Sequence, residues 1–259
     1  MNTKYNLKDI TFLIPIRLDS FHRLENLLLS IDFLQKYFDT NIKVLEAYKY
    51  NNSILSKLLP ENVEYQFVKD RDPVYHRTKY QNMLLEGVET LYIAIWETDI
   101  IAYPEAIIEC VEKLRRNETE VALPYNGKVM DVTPILREHY AKIKDVEFLH
   151  RNAEKMNILY NRTDLVGGAI FLNREAYIKA GKDNESFYGW GNEDFERIIR
   201  WETLCYRIFK SDTTLYHLHH TRGENSVYKS GSYTTFTLNL LKKTRTCSQE
   251  DIFKLLQQA

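Results

Sequence analysis

Four short stretches carry residues whose types and spacing suit chemistry. In 187–201, FYGWGNEDFERIIRW, the carboxylates Glu193, Asp194 and Glu196 follow directly on Gly-Trp-Gly. A carboxylate at a helix start beside Trp190, whose flat apolar face suits a sugar ring, can serve as general base toward a hydroxyl. The plainer reading is a helix N-terminus capped by Asn192, with acids in the first turn where the helix dipole favours them. That explains the acidity but not the Gly-Trp-Gly. In ETDIIAYPE (97–105), Glu97 and Asp99 follow an apolar run. Carboxylates there can hold a hard divalent cation that neutralises phosphates, or simply form an acidic loop ahead of a helix at Pro104. In LYHLHHTR (215–222), His217, His219 and His220 are candidate ligands for a borderline metal. An extended chain puts His217 and His219 on one face; a turn lets His217 and His220 converge. Solvated histidines at a strand end are the plainer alternative, weakened if Asp99 stands beside them, since carboxylate and imidazole together make a mixed oxygen–nitrogen shell. In VGGAIF (166–171), two glycines at a strand start allow a ligand or another backbone to approach closely, or mark a simple turn.

These residues need a scaffold. The runs 10–16 (ITFLIPI), 42–48, 63–68 and 91–96 read as strands, the first and last of them buried. Strands are also expected at 120–124, 166–172, 206–210 and 214–218. Helical spacing links Leu24, Leu27, Leu28, Ile31 and Leu34. Further helices start near Arg77, near Pro104 and near Asn192, with two more at 235–243 and 248–257. Ser248, with Asp251 three residues on, is a natural N-cap. Residues 125–165 read as a polar loop with one or two helices. Strands alternating with helices predict an α/β domain with a single, mostly parallel sheet, and ligands then sit beyond the carboxyl ends of its strands. The division expected is a domain over 1–232 and a helical C-terminal appendage over 233–259.

With 259 residues, 44% of them hydrophobic, the chain can bury a large core. A net charge of −1 argues against a nucleic-acid partner. Cys110, Cys205 and Cys247 are scattered and in no metal-ligand spacing, as in a reduced cytosolic protein. The N-terminus lacks the apolar core of a signal peptide, and no run approaches the roughly 18 apolar residues of a membrane span. A cytoplasmic protein is expected, at the inner face of the membrane if it associates peripherally.

In this order, over roughly residues 10–225, the motifs resemble the GT-A fold glycosyltransferases. They are most similar to the β-1,4-galactosyltransferase-type family and its bacterial family 2-like relatives. The resemblance implies the GT-A fold and a set of roles. IPIR matches the family's nucleotide-contacting Pro-x-Arg, implying Pro15 and Arg17. HRTKYQN matches a segment by the diphosphate, implying Arg77 and Lys79. ETD matches the Asp-x-Asp metal motif, with Glu97 in place of its first Asp, Thr98 on the donor and Asp99 as metal ligand. The Gly-Gly strand matches Gly167 and Gly168, the latter on the acceptor side. GWGNED matches the family's Gly-Trp-Gly-x-Glu-Asp, implying Asp194 as catalytic base and Glu193 and Trp190 as acceptor contacts; Phe195 stands where a third carboxylate is common. HLHHTR implies His217 and His220 as metal ligands and leaves His219 outside the shell. Leu165 stands where galactose-specific members have a Tyr beside the donor sugar.

The resemblance thus implies an inverting transferase using Mn²⁺ or Mg²⁺. It would move a hexose or N-acetylhexosamine from a UDP-sugar to a glycan or lipid-linked glycan hydroxyl, in bacterial surface polysaccharide assembly. Arg17 and Arg77 would contact the phosphates. The alternatives are a sugar nucleotidyltransferase, which would want a glycine-rich phosphate loop where this chain has IRLDSFHR, and a non-catalytic sugar-nucleotide binding protein on the same fold.

Overall fold

The computed structural model describes residues 4–221, 223 and 230–257. The chain opens with β1 (Tyr5–Ile16), α1 (Phe21–Tyr37), β2 (Phe38–Tyr48), the single turn α2 (Leu55–Leu58), β3 (Val63–Lys69), α3 (Arg77–Leu85) and β4 (Tyr92–Trp96). Ile10, Phe12, Leu13 and Ile14 are fully buried, as an inner parallel strand covered on both faces requires. Ser20 caps α1, its hydroxyl accepting from the Arg23 amide at 3.3 Å; this fixes the first helical turn just beyond the end of β1.

The next elements are β5 (Ile100–Ile101), α4 (Pro104–Arg115), β6 (Val121–Leu123), β7 (Lys128–Val132), α5 (Pro134–Ile143), α6 (Val146–Arg151) and β8 (Asn157–Asn161). After them come β9 (Ala169–Asn173), α7 (Arg174–Lys179), α8 (Glu193–Thr203), β10 (Ile208–Lys210), β11 (Thr214–Leu218), α9 (Gly231–Thr246) and α10 (Gln249–Gln257). The main sheet has the order β10-β6-β9-β4-β1-β2-β3. Four of its six pairings are parallel, and β9 runs antiparallel to both neighbours.

The expected α/β class is present, but the expected single sheet is two. A second sheet, β5-β11-β7-β8, carries the histidines. Its strands are hard to read from sequence for physical reasons. β5 has only two residues, β7 carries a charge at Asp131, and β8 is an edge strand with no buried residue. Residues 125–165, expected as loop and helix, therefore supply two strands as well as α5 and α6.

Among the described residues, no helix is long and apolar enough to cross a membrane. The three cysteines are free thiols. Near the C-terminus the Ser248 hydroxyl donates to Asp251 at 2.7 Å and accepts from the Asp251 amide at 3.2 Å, the reciprocal cap that the spacing predicts. α9 starts four residues earlier than expected and packs Thr237, Leu241 and Thr244 inward.

Candidate active site

Register brings the four stretches together. Trp96 pairs with Ala169, so the Glu97 amide donates to the Gly168 carbonyl at 2.9 Å. His217 pairs with Ile100 across the antiparallel β11–β5 ladder, and the Leu218 amide donates to the Asp99 carbonyl at 2.7 Å. On its other side β11 pairs with β7, and His217 lies opposite Asp131. The acidic turn after β4 thus touches both the glycine strand and the histidine strand. A cleft of about 410 Å³ opens there, lined by all the sequence-predicted site residues except Lys79.

One end of the cleft holds Asp99, His217 and His220, whose candidate ligand atoms all lie within 4.8 Å of one another. His220 Nε2 is 3.1 Å from Asp99 Oδ2, and His217 Nε2 is 3.8 Å from it. β11 ends at Leu218. Both sequence geometries therefore occur: His217 and His219 share Asp131 through their Nδ1 atoms at 2.8 and 2.9 Å, while the His217 and His220 rings converge to 5.2 Å. Burial alone would raise Asp99, but the imidazoles of His217 and His220 hold it well below the ordinary carboxylate range. Burial would lower His217, yet Asp99 and Asp131 raise it. Asp99 Oδ1 is buried without a hydrogen-bond partner. A carboxylate oxygen left orphaned beside two imidazoles is the arrangement a divalent cation satisfies, so the residues fit a metal site.

At the other end, α8 presents Glu193 and Asp194. Arg77 reaches both, at 3.5 and 3.8 Å, and pairs with Glu97 at 2.8 Å. Three carboxylates around one guanidinium raise the arginine above its ordinary value, against the opposing effect of burial. Burial and the charge of Asp194 push the Glu193 carboxyl up to about 7. Glu193 Oε2 also accepts from the Gly191 amide at 2.8 Å, closing the Gly-Trp-Gly turn onto the helix. Half-buried Trp190 lines the cleft beside it.

Gly167 has a definite steric duty, because a Cβ there would sit 2.5 Å from Asp194 Oδ2. Gly168 has φ +89°, a conformation that glycine adopts readily. Pro15, Thr98 and half-buried Leu165 complete the predicted lining.

Three expectations need correction. Arg17 lines the cleft, but its guanidinium is committed to the protein. It donates to Asp70 at 2.6 Å, to the carbonyls of Pro73, Ala47 and Val74, and lies over the Tyr75 ring. It pins the 70–75 loop rather than offering its fork to a phosphate. Lys79 is exposed and outside the cleft; two residues after Arg77 on a helix, it points about 200° away. Asn192 stands at the N-cap position of α8 but makes no side-chain cap bond. Its φ is +69°, and its amide donates to Thr237 of α9 at 3.1 Å instead. Arg222 of the HLHHTR motif and the end of the resemblance at 225 lie outside the described residues.

Sequence reasoning passed over Asp131, Arg23 and Arg197. Asp131 gave no signal inside an unrecognised strand. Arg23 lies on the first turn of α1, lines the cleft, and pairs with Asp19 at 3.1 Å. Arg197 follows Asp194 at helical i,i+3 spacing, a signal that could have found it.

No curated protein matches the chain in sequence. Residues 147–222, which include Gly167, Gly168, Trp190, Glu193, Asp194, His217 and His220, match the family model described as the N-terminal domain of galactosyltransferase. Among solved structures, the catalytic domain of Drosophila β1,4-galactosyltransferase 7, crystallised with xylobiose, is similar with a TM-score of 0.53. The likeness covers 90% of this chain and 79% of that one at 16% identity, and so is one of fold. The chain thus shares the GT-A fold of that catalytic domain, and the segment that carries Asp194, His217 and His220 is similar to the galactosyltransferase family.

Proposed function

We propose that this protein is an inverting, metal-dependent glycosyltransferase. On this reading it transfers a hexose or N-acetylhexosamine from a UDP-sugar to a hydroxyl of a glycan or lipid-linked glycan, in the cytoplasm of a bacterium and toward its surface polysaccharide. The observation that carries the reading is that one cleft holds both the Asp99–His217–His220 set and the Asp194 carboxylate. A Mn²⁺ or Mg²⁺ ion bound by those three residues supplies positive charge to the departing diphosphate.

The chain's own residues do the rest. Arg77 and Arg23, both of which line the cleft, face the phosphates. Asp194 takes the proton of the acceptor hydroxyl as it attacks from the face opposite the leaving group. Glu193 orients the acceptor, and Trp190 stacks on its ring. A single displacement inverts the anomeric carbon, so no enzyme nucleophile is required. Residues 1–232 form the transferase unit, and 233–259 a helical addition to it. A panel of UDP-sugars, followed by nucleotide release with and without a glycan acceptor, tests the reading; absence of acceptor-stimulated release across the panel would overturn it.

Two further results are expected. Leu165 offers neither ring nor hydroxyl to the donor sugar, leaving space for an N-acetyl group at C2. UDP-GalNAc should serve at least as well as UDP-Gal, and Leu165→Tyr should shift preference toward UDP-Gal by about 1–3 kcal/mol. Competition between the two donors measures this; strict UDP-Gal use by the wild type contradicts it. Gly167→Ala should displace the Asp194 carboxylate and lower kcat by about tenfold to a hundredfold. UDP affinity should stay near the wild-type value, and an unchanged kcat would show that Asp194 yields to the methyl group at no cost.

A further inference from the structure

Behind Asp194, on the side away from the cleft, lies a second charged group that transfer chemistry alone does not demand. Arg197 is one turn further along α8 and only 2% exposed. Its Nη1 lies 3.3 Å from Asp194 Oδ1. Its Nε and Nη2 face Asp183 at 2.8 and 3.0 Å, and its guanidinium lies 5.9 Å from the Trp201 ring centre. Asp183 is itself held firmly. Its Oδ1 accepts from the Tyr177 hydroxyl at 2.7 Å, its amide donates to Asn82 Oδ1 at 3.0 Å, and its carbonyl accepts from Asn82 Nδ2 at 2.9 Å. A buried guanidinium between two carboxylates is costly to assemble and strongly oriented once assembled.

Resting on the reading of Asp194 as the base, we propose that Arg197 is a positioning residue for it, and that Asp183 fixes Arg197 in turn. Two facts support this. Asp194 Oδ1 is buried without an aligned hydrogen-bond donor, and the Arg197 guanidinium is the charged group beside it. Asp194 Oδ2 meanwhile occupies the space left by the missing Cβ of Gly167. Arg197 therefore holds one oxygen from within, and Oδ2 is left beside the glycine strand that lines the cleft. The groups facing the carboxylate are Arg77 from α3, Arg197 from α8, Glu193 beside it, Glu97 after β4, and the Tyr125 hydroxyl after β6. Tyr125 donates to the Gly167 carbonyl at 2.5 Å and so braces the same strand.

The test uses Arg197→Met, Arg197→Lys and Asp183→Asn in the full chain. The measurements are thermal midpoint, UDP affinity by calorimetry, and kcat as a function of pH. For Arg197→Met, UDP affinity should stay within about twofold and kcat should fall about tenfold to a hundredfold. The acidic limb of its profile should move up by about 1–3 pH units, the usual effect of removing an opposite charge at this range. Arg197→Lys keeps the charge and loses the fork, so it should keep the wild-type acidic limb with a lowered kcat. Asp183→Asn should fall between the two.

An unchanged kcat in Arg197→Met, or a loss of kcat with the acidic limb unmoved, would overturn the proposal. If Arg197→Met does not fold, Arg197→Lys decides, and wild-type kcat in that variant is the overturning result. Failure here is separable from failure of the base assignment. An inactive Asp194→Asn beside a fully active Arg197→Met removes only the role of Arg197, whereas an active Asp194→Asn removes both.

Discussion

Asp194→Asn should bind the nucleotide sugar and fail to transfer it. The substitution is nearly isosteric, but an amide cannot accept the acceptor's proton. We expect kcat to fall by roughly 10² or more, the usual scale for general acid–base catalysis. The environment sharpens the expectation. Glu193, next in the chain, is pushed up to about 7 and so is partly protonated at neutral pH. It also accepts from the Gly191 amide at 2.8 Å, and is poorly placed to take over as base. Single-turnover kinetics with calorimetric UDP binding separate the two steps. Turnover near wild type in this variant would return GNEDFE to the status of a helix start.

The second large effect concerns the metal. Chelation should abolish transfer, and His220→Ala should remove most of it. His219→Ala should do little, because His219 meets Asp131 rather than Asp99. Equal losses from the two histidine variants would sink the assignment. Asp131→Asn belongs to the same experiment. Its carboxylate orients His217 through Nδ1 at 2.8 Å, and losing such an outer partner usually costs 10- to 100-fold in metal affinity. Metal affinity should also weaken on acidification. A ligand imidazole must be neutral, and Asp99 and Asp131 raise His217 above its ordinary value, so protons compete from a higher pH than for a free histidine, whose pKa is about 6.5.

The sequence discloses most of the main sheet because β1, β2 and β4 are apolar runs of the length buried strands need, and α4 opens on a proline. The second sheet stays hidden because its strands are short, exposed or charged. The same contrast governs the site. Asp99, Asp194, His217 and His220 stand in motifs whose spacing is itself informative. Asp131 and Arg23 enter the cleft region only through β7 pairing and the packing of α1, which no local pattern encodes. Arg17 shows the opposite error. Its motif is intact, yet the local chain takes up its donors, because Asp70 and the carbonyls of residues 73 and 74 lie within reach. Lys79 lies outside the cleft for a simpler reason, that a residue two positions after Arg77 on a helix points to the opposite side.

The contact between Asn192 and Thr237 reaches beyond α8. Asn192 holds a left-handed backbone at the entrance to α8, and its side-chain amide is tied to α9. Glu196 on the same helix receives the Thr244 hydroxyl at 3.4 Å. The tail is thus a strut under α8, which on the proposed reading carries the acceptor contacts, while Asp99 and His217 rest on β-ladders that do not involve it. Acceptor range and tail sequence are therefore not independent variables. A loop transplanted from another transferase to change the acceptor will carry its shape across only if the helix that braces it travels too. A chain cut at residue 230 should keep its grip on the nucleotide long after it has lost discrimination among acceptors.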